Sequence, residues 1–432
     1  MKATLIWPAF HPYVSGPGEA HIPHGIGHIA TECIRRGHQI ELIDGRVCSM
    51  RKALRIIRDT ESEVIGFSVL SAFVGYTKEL VSFTKKARPD LGVVVGGIHP
   101  TVCPRDFPEC DWLVQGEGEI TFWKILEGDE GRGVVQGVSP DLGELAPIDR
   151  NLFKIAEKPL AWVEEPTASV LIARGCPYKC TFCQPAERIL FGSRLRFRPV
   201  DSVISELEKL NLRSFMVDDD CFTCSPSYVE EFCERIRPLG LKWLCQGRAD
   251  NIVDNVDLIK TMRDAGLVGM LIGHESGDDE VLNSLEKGTT VEQNIESTMI
   301  LKGLGIKVWS NIMVGLPGES SAAVMRTLDM VKKMEPDIVS TSVFTPYPGS
   351  ELADKCVDLR KSSEEIYYMR GRIEPKIEGP DYKFIAKALR QMQTSRSARM
   401  SHWAKSAAIM RPPLKVIRWL SRYARLMRYG FK

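Results

Sequence analysis

The segment Arg174-Gly-Cys-Pro-Tyr-Lys-Cys-Thr-Phe-Cys-Gln184 sets three thiols, Cys176, Cys180 and Cys183, at C-x3-C-x2-C spacing. Three soft thiolates on one tight loop suit an iron–sulfur cluster. A cubane cluster has four irons, so three ligands leave one iron open, and a substrate with amino and carboxylate groups can chelate it. The competing readings are a structural zinc site missing its fourth ligand, or three unrelated core cysteines. A second pair, Cys221-Phe-Thr-Cys224, is C-x2-C. It reads as a redox pair or part of an auxiliary cluster, but it lacks two further ligands at sensible spacing, which favours ordinary loop and core thiols. Cys33, Cys233 and Cys245 fall in predicted helices or strands and read as core.

The elements that must position these residues alternate along the chain. In the first 130 residues, Ala3–Trp7, Gln39–Ile43, Val64–Val69, Gly92–Val95 and Trp112–Val114 read as short buried strands, separated by helices at Gly25–Arg36, Met50–Asp59, Gly75–Ala87 and Glu119–Leu126. Alternation of this kind implies right-handed crossovers and a doubly wound, Rossmann-like parallel sheet with its ligand at the carboxyl ends of the strands. A Gly- and Pro-rich stretch reads as a linker. A second alternation follows, with strands at Ser169–Ala173, Ser214–Val217, Trp243–Gln246, Val268–Gly273, Val308–Val314 and Ile338–Phe344, and helices between them. These units predict a partial (β/α)6 barrel with chemistry at the C-terminal rim. The cysteine triplet directly follows the first barrel strand, where loops carry function, and this argues against both competing readings. The fold class is therefore α/β. The predicted domains are a sheet over 1–135, a linker over 136–164, a barrel over 165–355, and a helical C-terminal region over 356–432.

The 432 residues are 44% hydrophobic and 26% charged with a net charge of +1, an ordinary globular balance that excludes global disorder. No uncharged apolar run approaches the roughly 18–20 residues of a membrane span. The start, MKATLIWPAFHP, is interrupted by Pro8 and Pro12 and reads as a mature cytosolic N-terminus. Twelve cysteines in a long chain without an export signal read as reduced thiols, metal ligands or core residues rather than a disulfide frame. Charge is uneven: Arg390–Lys432 carries eleven Lys/Arg and no acid, which leaves a net −10 on residues 1–389.

Several motifs in order across 165–355 resemble the radical S-adenosylmethionine (radical SAM) superfamily. Beyond the triplet, Phe182 matches the aromatic residue before the third cysteine, which packs near the adenine. Ser214-Phe-Met-Val-Asp-Asp-Asp220 resembles the second-strand segment, and the resemblance makes one of its carboxylates, taken as Asp219, a SAM or substrate contact. Gly273-His-Glu-Ser-Gly277 resembles the fourth-strand motif, whose acid, here Glu275, contacts the SAM ribose or amino group. Asn311-Ile-Met-Val-Gly-Leu-Pro-Gly-Glu319 resembles the fifth-strand motif and contributes Asn311. Thr345-Pro-Tyr-Pro-Gly-Ser350 resembles the segment after the sixth strand. Arg248, at the end of the third strand, could hold the SAM carboxylate, with a salt bridge to Asp250 or a neighbouring acid as the alternative. The resemblance implies reductive cleavage of SAM by a 4Fe–4S cluster. The products are methionine and a 5′-deoxyadenosyl radical that abstracts hydrogen from an unactivated carbon. It also implies a flavodoxin- or ferredoxin-type electron donor.

In the first domain, Gly25-Ile-Gly-His-Ile-Ala30 matches a dinucleotide fingerprint, but that fingerprint should start right after the first strand, and a proline-containing stretch intervenes. The domain better resembles the cobalamin-binding domains found upstream of radical SAM barrels, whose pattern is D-x-H-x-x-G, S-x-L and G-G at strand ends. Here Asp44-Gly-Arg46 is followed by Ser49, then Ser68-Val-Leu70, then Gly96-Gly97. The resemblance assigns cobalamin contacts to Asp44, Arg46, Ser68, Gly96 and Gly97. Arg46 stands in place of the histidine ligand, and a guanidinium has no lone pair for cobalt. The resemblance thus implies a lower face without a protein ligand, which favours methyl donation from the upper face. The alternative is a flavodoxin-like domain that has lost its cofactor. His99 reads as a hydrogen-bonding residue rather than a ligand.

The tail Leu414–Lys432 sets Lys415, Arg418, Arg422 and Arg425 on one side of a helix and Val416, Trp419, Leu420, Tyr423 and Met427 on the other. Such a helix can lie on an anionic membrane surface or dock against the chain's own acidic body. Nucleic acid has no aromatic platform or binding module behind it. The leading expectation is a cytoplasmic cobalamin-dependent radical SAM enzyme, with peripheral contact at the inner membrane face through this tail. It would methylate, or cyclise or rearrange, an unactivated carbon of a small-molecule, lipid or tetrapyrrole substrate. One alternative is a radical SAM tRNA methylthiotransferase, which needs N-terminal strand-end cysteines that Cys33, Cys48, Cys103 and Cys110 do not supply well. The other is a non-catalytic corrinoid- or SAM-binding sensor, which would not need the triplet.

Overall fold

The unbroken apolar runs of the first half bury both faces of one sheet. In the computed structural model, which describes residues 1–10, 21–183, 189–359 and 375–394, six parallel strands stand in the order β2-β1-β3-β4-β5-β6. They are β1 Lys2–Trp7, β2 Gln39–Asp44, β3 Val64–Ser68, β4 Gly92–Gly96, β5 Trp112–Gln115 and β6 Gly133–Gln136. Successive residues alternate between two cores. Leu5, Val64 and Val94 enter one, with Phe122 and Ile125. Ile6, Ile65, Val93 and Val95 enter the other, with Leu80 and Val81. A strand covered on both faces needs no polar alternation. The helices are α1 His24–Arg35, α2 Met50–Asp59, α3 Val74–Ala87, α4 Ile98–Val102 and α5 Glu119–Glu127. Ser49 caps α2, its side chain accepting from the Lys52 amide at 3.2 Å. Strand β6 lies at the end of the predicted sheet domain and runs into the predicted linker.

The second sheet is also parallel, in the order β14-β13-β12-β11-β10-β7. Its strands are β7 Thr167–Val170, β10 Ser214–Val217, β11 Lys242–Gly247, β12 Leu267–Glu275, β13 Lys307–Val314 and β14 Ile338–Val343. Between β7 and β10 an antiparallel pair, β8 Ala173–Arg174 and β9 Arg196–Phe197, brackets the cysteine segment. The first barrel strand expected at Ser169–Ala173 is thus split, because Ile172 and Ala173 turn their amides to a buried side chain described below. The helices are α6 Val200–Lys209, α7 Pro226–Ile236, α8 Ala249–Asp254, α9 Val256–Asp264, α10 Asp279–Ser284, α11 Val291–Gly303, α12 Ser321–Met334 and α13 Tyr382–Thr394. Thr290 and Gln293 form a reciprocal capping box at α11. Trp243, Phe215, Phe222 and Phe232 pack edge-on or stacked at the heart of the barrel core.

Gly25 and Gly27 lie inside α1, and a methyl at Gly27 would meet Ile148 at 2.9 Å. Gly27 serves helix packing while Gly25 borders open space, and the strand-to-helix turn of a dinucleotide fingerprint is not formed. Among the described residues no helix is long and apolar enough to cross a membrane. The basic tail lies outside the described residues.

His274 is fully buried on β12, its Nδ1 2.7 Å from the Ser310 hydroxyl of β13. Burial, helped by the charge of Lys287, pulls its pKa down to about 3. The unfolded side chain titrates near 6.5, so the stability this neutral histidine contributes is complete above that pH and declines as pH falls toward 3. At pH 5 the expected loss is about 2 kcal/mol. Urea midpoints at pH 7 and pH 5 should therefore differ less in His274→Asn than in the wild type. An unchanged difference would remove His274 as the acid-sensitive group.

Candidate functional site

The cysteine loop is pinned at both ends. Gly175 carries φ +96°, and a methyl there would sit 2.4 Å from the Arg194 carbonyl, so only glycine lets the chain cross at this point. The Cys176 amide donates to Gly192 O at 3.3 Å, and the Thr181 amide donates to Leu285 O at 3.0 Å. Cys176, Cys180 and Cys183 take part in no disulfide. The Cys183 thiol is pushed up to about 12, by desolvation first and then by Asp220, Cys180 and Cys176. The residue is exposed at the mouth of the strand ends, so crowding by negative neighbours is the cause that survives solvent. This donor set, three soft sulfurs on one loop, fits a cluster whose irons each take one thiolate. No three His, Cys, Asp or Glu side chains among the described residues converge on a single-ion site, and a cluster does not require such convergence.

Around this loop the barrel gathers several of the residues expected from sequence. The Arg248 guanidinium lies 3.4 Å over the Tyr178 ring, with Nη1 3.8 Å from the Cys180 sulfur. It is held by Asp250 at 3.0 and 2.8 Å and by Lys287 O at 2.6 Å. The salt-bridge alternative thus describes Arg248, which braces the loop. Glu275 sits at a β-bulge with φ +60°, 3.5 Å from the Lys287 amine. A methyl on Gly273 would meet that carboxylate at 2.4 Å. Lys287 also lies 5.9 Å from the Phe182 ring centroid. Asn311 pairs in register with Gly273 and is half-buried beside this group.

Asp219 faces inward. It is buried and accepts the Ile172 and Ala173 amides at 2.7 and 2.9 Å. Burial pushes its pKa up to about 8 against those two bonds. Its carboxylate ties the end of β10 to the split first strand. The neighbouring Asp218 points the other way, to His21 Nδ1 and His24 Nε2, each at 3.2 Å. Burial opposes the charge on both partners. Even so, the histidines hold Asp218 below the carboxylate range, and Asp218 holds His21 above its usual value.

That contact crosses from the barrel to the first sheet, and a second, stronger one lies beside it. Arg174, the residue before Gly175, donates to Glu117 and Glu119 at 2.6 Å each, and Arg196 reaches Glu117 at 2.5 Å. Arg174, Glu117 and Glu119 are almost wholly buried. Both acids follow β5, so the carboxyl ends of the two sheets meet where the cysteine loop begins.

On the first sheet the strand order places a switch point between β1 and β3, where doubly wound sheets bind ligands. Ser68 ends β3 half-exposed. Gly96 ends β4, where a methyl would touch Val114 at an ordinary 3.5 Å, so the protein itself does not demand glycine. A glycine the fold does not require, at a strand end beside the switch point, suits close approach of a large cofactor. Gly97 is different: with φ +104° its added methyl would lie 2.8 Å from the Val69 amide nitrogen. Its glycine is required by the Val69–Gly96 hydrogen bond at 2.8 Å. Gly97→Ala should cost about 1–3 kcal/mol, read as a lowered denaturant midpoint; an unshifted midpoint would contradict the close approach. Asp44 and Arg46 pair with each other at 2.7 Å, both buried, and Arg46 also donates to His21 O at 2.6 Å. His99 bonds Ser71 at 3.0 Å and Asp106 at 2.9 Å, as a hydrogen-bonding residue.

Lys287, Tyr178, Asn251, His21 and His24 carry much of this geometry and were not singled out from sequence. His21 stood in the stretch between β1 and α1, visible only as an interruption, and His24 opens α1. Cys221 and Cys224, expected as separate thiols, are joined in a disulfide. Loop position and spacing alone do not distinguish the two states.

Comparison with known proteins agrees with this arrangement. Residues 170–331 match the radical SAM superfamily, and residues 11–126 match the B12 binding domain. An uncharacterized methyltransferase of Pyrococcus horikoshii is 26% identical, over 82% of this chain and 82% of that protein. The anaerobic magnesium-protoporphyrin IX monomethyl ester cyclase of Rubrivivax gelatinosus is 27% identical over 70% of this chain, which spans only 60% of that protein. The radical SAM methyltransferase TsrM of Kitasatospora setae, solved with cobalamin and a 4Fe–4S cluster, shares the fold at a TM-score of 0.63 with 18% identity, over 82% of this chain and 74% of that one. The chain belongs to the radical SAM superfamily, in the branch that joins a B12-binding domain to the barrel, and is an enzyme of the 4Fe–4S cluster, S-adenosylmethionine and cobalamin.

Proposed function

We propose that this enzyme methylates an unactivated carbon of a small-molecule or lipid-like substrate. The observation that carries this reading is the meeting of the two sheets' carboxyl ends across the buried Arg174–Glu117–Glu119 contact. That contact sets the start of the cysteine loop at the carboxyl end of β5, the strand beside β4. When bound, the cluster and SAM supply a 5′-deoxyadenosyl radical, and cobalamin supplies the methyl group. Cys176, Cys180 and Cys183 would hold the cluster. Phe182, Glu275 and Asn311 would face SAM, with Lys287 neutralising Glu275 until the ligand arrives. Ser68, Gly96 and Gly97 would border cobalamin, with the Asp44–Arg46 pair shaping the adjoining edge. Arg248 and Asp219 act as positioning residues, one bracing the loop and the other fixing the strand ends. The buried ion pairs close the seam against water, which a radical on carbon requires.

A low-potential protein of flavodoxin or ferredoxin type would deliver the electron, and the basic tail would bring the enzyme to a substrate held at an anionic membrane surface. The Pyrococcus relative supports methylation, while the cyclase relative favours a second reading, ring formation without methyl transfer. Anaerobic incubation with SAM and a strong reductant separates them. Methylation predicts S-adenosylhomocysteine and 5′-deoxyadenosine together; 5′-deoxyadenosine alone would turn the reading to cyclisation.

A further inference from the structure

Cys221 and Cys224 follow β10 directly, at the same rim as the cysteine loop. The structure joins them with their Cα atoms 5.7 Å apart, inside the range of about 4.4–6.8 Å that a bridge accepts. Phe222, between them, is fully buried against Phe232 and Trp243, which holds the turn rigid. The two sulfurs are not equivalent. Cys221 is buried, whereas Cys224 is partly exposed and stands just before Ser225 at the entry to α7. A helix start favours a thiolate, so Cys224 has the place of an attacking thiol and Cys221 that of a resolving one.

A short chain of contacts runs from Cys224 to the cysteine loop. Asn251 Nδ2 lies 3.5 Å from the Cys224 sulfur and 3.3 Å from the Thr223 hydroxyl. Asn251 Oδ1 accepts from the Tyr178 hydroxyl at 3.1 Å. Tyr178 stands between Cys176 and Cys180, under the Arg248 guanidinium that also touches Cys180. One asparagine and one tyrosine therefore separate the pair from the triplet.

We propose that Cys221 and Cys224 form a redox-active dithiol–disulfide site, and that its state is transmitted through Asn251 and Tyr178 to the cysteine loop. The exchange chemistry stands apart from the methyltransferase reading. Its reactant is a low-molecular-weight disulfide, or the CxxC disulfide of a thioredoxin-class protein. The Cys224 thiolate attacks one sulfur of that disulfide, whose S–S bond breaks and releases one thiol carrying the proton lost by Cys224. The Cys221 thiol then gives up its proton and attacks Cys224, forming the internal bond and releasing the second thiol. Two protein thiols are oxidised, one external disulfide is reduced, and a dithiol runs the sequence backward. In the dithiol state the Cys224 sulfur carries a proton or a full charge, which weakens or strengthens its bond from Asn251 and so shifts the position of the acceptor that Tyr178 uses.

The test uses the full chain purified anaerobically and equilibrated in buffers of reduced and oxidised glutathione. Free thiols are trapped by alkylation and located by peptide mass spectrometry. The proposal predicts that Cys221 and Cys224 lose alkylation together, in one transition set by the ratio of squared glutathione to its disulfide. Cys221→Ser should instead trap a glutathione adduct on Cys224. With the cluster reconstituted and kept oxidised, its Mössbauer or resonance Raman spectrum should differ between the two states of the pair, and Tyr178→Phe should abolish that difference. Two alkylated thiols at every ratio, or a bridge that resists a strong dithiol reductant, would overturn the redox site. Identical cluster signals in both states would overturn the transmission. A cluster that never forms would contradict the functional reading, leaving the alkylation result to decide the redox site alone.

Discussion

Replacing Cys176, Cys180 and Cys183 together by Ala reduces SAM cleavage to background, a loss of at least about a thousandfold, because the cofactor supplies the difficult step and no other group in the barrel can. The fold should survive. None of the three thiols belongs to a hydrophobic core cluster, and the loop is held by backbone bonds of Cys176 and Thr181 that alanine preserves. The expected pattern is therefore lost iron and sulfide, lost 5′-deoxyadenosine, and an unchanged circular dichroism spectrum. Retained SAM cleavage in the triple variant would remove the cluster from the account. Retained SAM binding without cleavage is what a sensor would show in the wild type, so the wild-type control decides that alternative.

The second large effect is expected at Arg174. Arg174→Met removes the only guanidinium that reaches both Glu117 and Glu119 among the described contacts. Glu119 is left buried without the guanidinium that bonds its Oε1, and Glu117 keeps Arg196. Breaking one member of a buried ion pair costs about 3–5 kcal/mol, because an uncompensated charge remains inside. Glu117→Gln should cost less, since Arg174 keeps Glu119 and the amide oxygen still accepts. Denaturant unfolding measures both, and iron retention measures whether the cysteine loop drifts when its anchor is lost. Equal, small effects would show that the seam between the sheets is held by apolar packing instead.

Much of the architecture was legible because it follows from local pattern. The strand at Gly92–Val95 is a short run of glycine and valine that reads as a buried strand, and it forms as β4 within one residue. The helix expected at Ser321–Met334 forms over those residues, and Ser320 caps it by accepting from the Ala323 amide. The triplet was legible because a cluster site is local, three residues on one loop. Contacts that join distant segments were not. Glu117 and Glu119 lie more than fifty residues from Arg174, and His21 nearly two hundred from Asp218. Nothing in the spacing of either pair links them. Asp219 illustrates a different limit. Three adjacent carboxylates cannot share a direction, and only the positions of the Ile172 and Ala173 amides decide which one turns inward. Arg46 reads as a replacement for a metal ligand, yet it pairs with Asp44, two residues away, and donates to His21 O, and this nearer chemistry is what the structure shows.

The central claim is that one chain brings a cluster, SAM and cobalamin to a single seam. The most direct measurement is the absorption spectrum of the full chain, purified anaerobically, reconstituted with iron, sulfide and hydroxocobalamin, and desalted. The expected result is one cobalamin retained per cluster-loaded chain, with the cobalamin bands lost in variants that crowd the end of β4, such as Gly96→Phe. A chain that loads its cluster but releases all cobalamin would contradict it and leave the first domain without a part in the chemistry.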